Sequence, residues 1–390
     1  MNIKETTDKF IMQTYSRFPL VLKKGNGVYL YDENGKKYLD FTAGIAVNAL
    51  GYGNKNIIDA ANTQMQKLFH VSNLYYTEPM ALLAKKLVEK SCFDKVFFAN
   101  SGAEANEAAF KLARKYGQLK KNGASKIISM QNSFHGRTMA TVTLTGQSKY
   151  HNGFGPMMSD ILYAEFNNID SVKKLIDENV CAVFIEPVQG EGGLLPANKG
   201  FMKELKDICT KNKILLIFDE VQTGIGRCGK LFCYQNFDIE PDILTLAKGL
   251  GGGLPIGAAL AKEKAAQCFA PGNHASTFGG NPVACACANA VLNEIESKDI
   301  LQNVNKSGEY LIKKLKEINC PHIKDIRGMG LMAGLELDIE IAPIIKKCLE
   351  NGLLIIGAGK NVIRFVPPLI INKDEIDEGI EILKTSLQCD

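Results

Sequence analysis

Three short polar stretches, each directly after an apolar run, carry side chains able to do chemistry together. One is DILTLA followed by Lys248-Gly249-Leu250-Gly251-Gly252-Gly253. A lysine at the rim of a buried strand is partly desolvated, which lowers its pKa and frees the amine to attack a carbonyl. The glycines let backbone approach the amine and whatever it binds. Such a lysine can equally be an ordinary loop residue. A second stretch is ILLIF followed by Asp219-Glu220-Val221-Gln222. A carboxylate ending a buried strand is costly unless paired or well hydrogen-bonded. A protonated ring nitrogen of a bound cofactor is one such partner; a structural salt bridge is another. The third is KVFFA followed by Asn100-Ser101-Gly102-Ala103-Glu104. Free N–H groups at the start of a helix suit a phosphate. Ser101 and Glu104 also spell a capping box, and the two uses are compatible.

Gly224-Ile225-Gly226-Arg227-Cys228-Gly229 matches a dinucleotide fingerprint but sits wrongly for one. The first glycine should lie at a strand–helix turn. Here Asp219 to Thr223 intervene, and the residues that follow lack helical periodicity. GLGGGLP likewise lacks the trailing GK[ST] of a P-loop.

Parallel strands covered on both faces bring such chemistry to one rim. Apolar strands without polar alternation at 95–99, 126–130, 181–187, 214–220 and 242–247 are separated by helical stretches, among them 103–116 and 199–212. That pattern predicts an α/β fold with a mostly parallel central sheet, whose ligands bind beyond the carboxyl ends of the strands. VYLY (28–31) and KYLDF (37–41) flank a turn at Asp32-Glu33-Asn34-Gly35 and predict an N-terminal hairpin. Helices are expected near 55–67 and 78–90. Beyond Asn281, helices at 282–297, 299–318 and 373–388 bracket short apolar runs, as in a smaller α+β unit. The expected division is 1–50, 51–280 and 281–390.

With 46 basic and 42 acidic residues the net charge is +4, too weak to argue for nucleic acid or a membrane surface. The longest apolar runs fall far short of the roughly 20 residues that span a bilayer. The N-terminal stretch carries Glu5 and Asp8 and no long apolar segment, so no secretory signal is expected. There are 11 cysteines and no CxxC pair. Free, mostly buried thiols in a reducing, cytoplasmic setting are the expectation. His70, His151, His274 and His322 show no metal-ligand spacing, so no metal is expected.

Six blocks, in order, carry a family resemblance: NSGAEANE (100–107), SFHGRTMATVTLTGQSKYHNGFGP (133–156), EPVQGEGG (186–193), FDEVQTGIGRCGKLF (218–232), LAKGLGGGLPIGA (246–258) and STFGGNP (276–282). Through them the chain resembles the class III (ω-amino acid) aminotransferases of the fold-type I pyridoxal 5′-phosphate (PLP) superfamily, and is most similar to their acetylornithine branch. The resemblance implies a PLP enzyme with a large domain and a smaller one built from N- and C-terminal segments. It implies a homodimer with active sites at the subunit interface. Lys248 would carry PLP as a Schiff base and then move the proton of the amino exchange. Asp219 would pair with the pyridinium nitrogen, Gln222 would contact the ring hydroxyl, and Phe134 and Val221 would sandwich the ring. Gly102 and Ala103, with Thr277 of the partner subunit, would hold the phosphate; Ser101 and Glu220 fall in the same cofactor-binding segments.

The same resemblance implies a substrate logic. Arg137 would bind a substrate carboxylate and Arg364 the second carboxylate of a dicarboxylic acid, each through a planar bidentate fork. Glu191 would pair with Arg364 while an ω-amino donor is bound and release it for 2-oxoglutarate. Ser276 would sit near an acetylated donor, expected to be N2-acetyl-L-ornithine. Ornithine, succinylornithine, succinyldiaminopimelate and 4-aminobutyrate are the alternatives, as is a non-catalytic binding protein of the same fold. His135, beside Phe134, is expected to be a hydrogen-bonded structural residue rather than the proton carrier. Tyr52 departs from the family pattern, which often has a histidine there, near the entrance; the departure bears on the donor, not on the PLP chemistry.

Overall fold

The computed structural model describes residues 2–387 and Cys389. Near the N-terminus, β1 (Leu22–Asn26), β2 (Tyr29–Asp32) and β3 (Lys37–Asp40) form an antiparallel meander. Its turn is set locally: Asp32 Oδ1 accepts from the amides of Asn34 and Lys36, and Gly35 takes a positive φ of 84°, as Asx-type turns favour.

The large sheet holds β4 (Lys95–Ala99), β5 (Lys126–Met130), β6 (Ile161–Ala164) and β7 (Val180–Ile185). A short hairpin, β8 (Val188–Gln189) and β9 (Leu195–Pro196), leaves the rim of β7. Then come β10 (Leu215–Asp219), β11 (Ile243–Leu246) and β12 (Gly257–Ala261), giving the order β4-β12-β11-β10-β7-β5-β6. Only β12 runs antiparallel to its neighbours. The carboxyl ends of β4, β7, β10 and β11 therefore share one rim. Every residue of β7, β10, β11 and β12 is buried. The helix Gly102–Lys120 lays Ala105, Ala109, Leu112 and Ala113 toward the sheet, and small side chains permit close helix–sheet approach. Gly257 is dictated by packing: a Cβ there would stand 2.2 Å from the Ser101 carbonyl oxygen. This glycine lets β12 pass beside the end of β4.

After the helices Pro282–Ser297 and Ile300–Lys316 come β13 (Ile323–Met329), β14 (Met332–Leu337), β15 (Leu353–Leu354), β16 (Ile356–Ala358) and β17 (Val362–Phe365). Four of them form the sheet β13-β14-β17-β16, while β15 pairs parallel with β3 and joins the two ends of the chain. The helix Lys373–Leu387 closes the fold; its expected end at 388 lies outside the described residues. The N-terminal helix Ile3–Phe10 and strands β6 and β12 were not expected from the sequence. β12 reads GAALA, poor in the branched and aromatic residues that mark strands.

One expectation is corrected. Cys320 and Cys389 form a disulfide, while the other nine cysteines are free and, apart from Cys92, buried. The partners are 69 residues apart, and only the fold brings their Cα atoms to 5.1 Å. Among the described residues no helix is long and apolar enough to cross a membrane.

Candidate active site

The strand rim opens into a cavity of about 480 Å³. Lys248 follows β11 in a left-handed backbone turn, φ 39°, uncommon outside glycine. It lines the cavity together with Asp219 at the end of β10 and Ser101, Gly102 and Ala103 at the end of β4. Three segments remote in sequence thus converge, as the parallel topology requires. Burial pushes the Lys248 ammonium down to about 8, with the Arg364 charge acting in the same direction and Glu191, Asp219 and Glu186 opposing. A lysine so tuned is a usable nucleophile near neutral pH.

Asp219 is 4% exposed and tightly held. Its Oδ1 accepts from the Val221 amide at 2.9 Å. Its Oδ2 accepts from Asn106 Nδ2 at 2.7 Å and from His135 Nδ1 at 2.8 Å. Asn106 is oriented at both ends, since its Oδ1 accepts from the Thr245 hydroxyl at 2.6 Å and its amide also donates to the His135 carbonyl. A carboxylate with these donors stays fixed in place for a cationic partner in the cavity. Asn106 was not singled out in the sequence, because its meaning depends on the second turn of a helix facing a strand end 113 residues away. His135 is the hydrogen-bonded histidine expected there, and it packs on Phe184.

At the helix start Ser101 caps the helix, and the two amides that follow it are left free. The Ser101 hydroxyl accepts from the Glu104 amide, and the Glu104 carboxylate accepts from the Asn100 amide. The amides of Gly102 and Ala103 have no partner among the described residues and stand at the cavity wall. A Cβ on Gly102 would meet the Val221 side chain at 2.7 Å, so glycine lets Val221 reach the cavity.

Phe134, Arg137, Gln222 and Glu191 also line the space. The exposed Arg137 guanidinium lies over the Tyr150 ring at 4.1 Å and the Phe134 ring at 5.6 Å. Arg364, 3% exposed on β17, pairs with Glu191 at 2.5 Å and donates to Gln222 Oε1 at 3.3 Å. The buried Glu186, just beyond β7, faces the same cavity. It ends the apolar run CAVFI as Asp219 ends ILLIF, and the same rule would have found it.

Two residues foreseen for the site, Glu220 and Ser276, stand elsewhere in this chain, and Thr277 was expected only from a partner subunit. Glu220 points away: its carboxylate accepts from the Cys233 and Tyr234 amides, and burial raises it to about 8. It anchors the following loop and does not line the cavity. Ser276 and Thr277 lie outside the cavity too. Ser276 Oγ contacts Asn100 and the Gly279 amide, and Thr277 borders a separate small recess with His70 and Asn73. Among the described residues no cluster of metal-ligating side chains occurs.

The family model described as aminotransferase class-III matches residues 10–387. The chain belongs to the class-III aminotransferases. The acetylornithine aminotransferase of Caldanaerobacter subterraneus subsp. tengcongensis is 52% identical over 379 residues, covering 96% of each chain. The acetylornithine aminotransferase of Methanocaldococcus jannaschii is 48% identical, covering 96% of this chain and 95% of that one. Among solved structures, the ornithine aminotransferase of Toxoplasma gondii superposes with a TM-score of 0.95 at 32% identity, over 98% of this chain and 94% of that one.

This class-III aminotransferase is thus an enzyme acting on small molecules, and its cofactor is PLP. The cavity fits that group: an amine for the aldehyde, a buried carboxylate for the ring nitrogen and two free amides for the phosphate all line it.

Proposed function

We propose that the enzyme transfers the δ-amino group of N2-acetyl-L-ornithine to 2-oxoglutarate, yielding N-acetyl-L-glutamate 5-semialdehyde and L-glutamate, a reaction of arginine biosynthesis. The observation that carries the reading is the Glu191–Arg364 pair beside the cavity. One pocket must accept an amine with a distal carboxylate and then a diacid. A buried arginine covered by a movable carboxylate meets both needs: paired, it presents little charge to the donor; uncovered, it binds the second carboxylate of 2-oxoglutarate. The named relatives at 52% and 48% identity support this donor.

Bound PLP supplies an electrophilic aldehyde and an electron-accepting ring. Lys248 would hold the aldehyde, and its amine would take and return the substrate proton. Asp219, fixed by Asn106 and His135, would hold the proton of the ring nitrogen. Gln222 would contact the ring hydroxyl, Phe134 and Val221 would flank the ring, and Gly102 and Ala103 would bind the phosphate beside Ser101. Arg137 anchors a substrate carboxylate in both half-reactions.

A homodimer completes the reading. Phe69, Leu74, Tyr75, Tyr76 and Phe278 are exposed apolar side chains, with the His70 ring 5.3 Å from that of Phe278, as a subunit interface would use. Thr277 lies outside its own chain's cavity, which suits delivery to a neighbour: Thr277 of the partner subunit would join the phosphate site, with Ser276 near the acetyl group. A cytoplasmic setting is part of the proposal; the nine free cysteines suit it, and the Cys320–Cys389 disulfide does not.

Single-turnover spectra with acetylornithine, ornithine, succinylornithine, succinyldiaminopimelate and 4-aminobutyrate test the donor. Acetylornithine is expected to convert the bound cofactor fastest; a faster competitor overturns the assignment. Arg137→Ala is expected to weaken both half-reactions. Loss of a hydrogen-bonding charged partner costs roughly 1.5–3 kcal/mol, about 10- to 150-fold, read as kcat/KM for each substrate. Glu191→Ala is expected to lower the donor half-reaction relative to the 2-oxoglutarate half-reaction by about tenfold or more, measured by stopped flow. An unchanged ratio leaves Glu191 without its role.

A further inference from the structure

Glu186 is 6% exposed and faces the cavity, yet no role described so far uses it. Its two oxygens serve two different loops. Oε2 accepts from the Phe134 amide at 2.9 Å. Oε1 accepts from the Gly190 amide at 3.3 Å. Phe134 opens the segment that carries Arg137, and Gly190 immediately precedes Glu191. Gly190 has no slack, because a Cβ there would meet the Gln222 amide group at 2.7 Å, and that group also accepts from Arg364. Glu186 therefore stands where the aromatic wall, the carboxylate anchor and the Glu191–Arg364 pair meet.

We propose that Glu186 is a positioning residue for substrate exchange: by tying the backbone of Phe134 to that of Gly190, it holds Glu191 in register with Arg364 while donor and acceptor alternate. The inference rests on the proposed role of Glu191. It requires two acceptor oxygens on one side chain. Burial, with Asp219 next, pushes the Glu186 carboxyl well above the usual carboxylate range; a neutral carboxyl still offers a lone pair on each oxygen. Glutamine does not, since its amide nitrogen only donates, and one backbone N–H would be left unpaired and buried.

The test is Glu186→Gln in the PLP-loaded enzyme, with both half-reactions followed by stopped flow on one preparation. Partial unfolding lowers both rates together and leaves their ratio alone. E186Q is expected to lower the donor-to-acceptor ratio by about tenfold, in the same direction as E191A, and to produce no further shift in the E191A background. Glu186→Asp, whose shorter stem does not span both amides, is expected to shift the ratio the same way, and it replaces E186Q should that variant not fold. An unchanged ratio, or a shift that persists in full when Glu191 is absent, overturns the inference. If E191A itself moves nothing, the switch and this inference fall together; if E191A shifts the ratio and E186Q does not, only the inference falls.

Discussion

Lys248→Ala will lose turnover by at least about 10,000-fold and will lose the visible absorbance of lysine-bound PLP. Lys248 lines the same cavity as Asp219 and the free amides of Gly102 and Ala103, and among the described residues it is the one lysine there. Purified K248A, saturated with PLP and assayed with donor and 2-oxoglutarate, checks the claim; steady turnover near the wild-type rate would place the amine elsewhere. The depressed pKa adds a pH signature. Only the neutral amine attacks the aldehyde, and the folded protein lowers the lysine to about 8. Loading of apoenzyme with PLP is therefore expected to accelerate as pH rises toward 8 and to level off above it. An unperturbed lysine, near 10.4, would keep gaining rate well beyond that point.

Asp219→Asn will lower kcat by roughly 100- to several-thousand-fold while PLP still binds. Breaking a buried charge pair by removing one member costs about 3–5 kcal/mol, and each 1.36 kcal/mol is tenfold in rate. The substitution preserves shape but reverses polarity where it matters. Asparagine offers one oxygen to the Val221 amide, the Asn106 amide and His135, which now share two. The proton of the ring nitrogen also loses its charged acceptor. Single-turnover rates, with PLP affinity measured by fluorescence titration, separate the effects. A rate within threefold of wild type would mean that Asp219 serves the fold alone.

The parts of the site legible in the sequence are those where an apolar run stops abruptly on a polar residue. Lys248, Asp219 and the Ser101–Glu104 turn are of this kind, and the parallel sheet explains why they meet. Asn106, Thr245 and His135 were not legible as one network, since a helix, a strand and a loop must first be packed. Glu186 follows the same strand-end rule as Asp219 yet was absorbed into a motif. Glu220 shows the rule's limit: adjacent residues at a strand end face opposite ways, so Asp219 and Glu220 cannot both enter the cavity. The family resemblance named Arg364 and Glu191; geometry adds that they are already paired, with Gln222 on the same arginine. β12 escaped notice because Gly257–Ala261 is defined by what it must pass, not by β-propensity.

Borohydride reduction of the PLP-loaded enzyme, followed by proteolysis and peptide mass mapping, tests the central claim most directly. The account predicts one phosphopyridoxyl label per chain, on the peptide containing Lys248. A label confined to another lysine would contradict it.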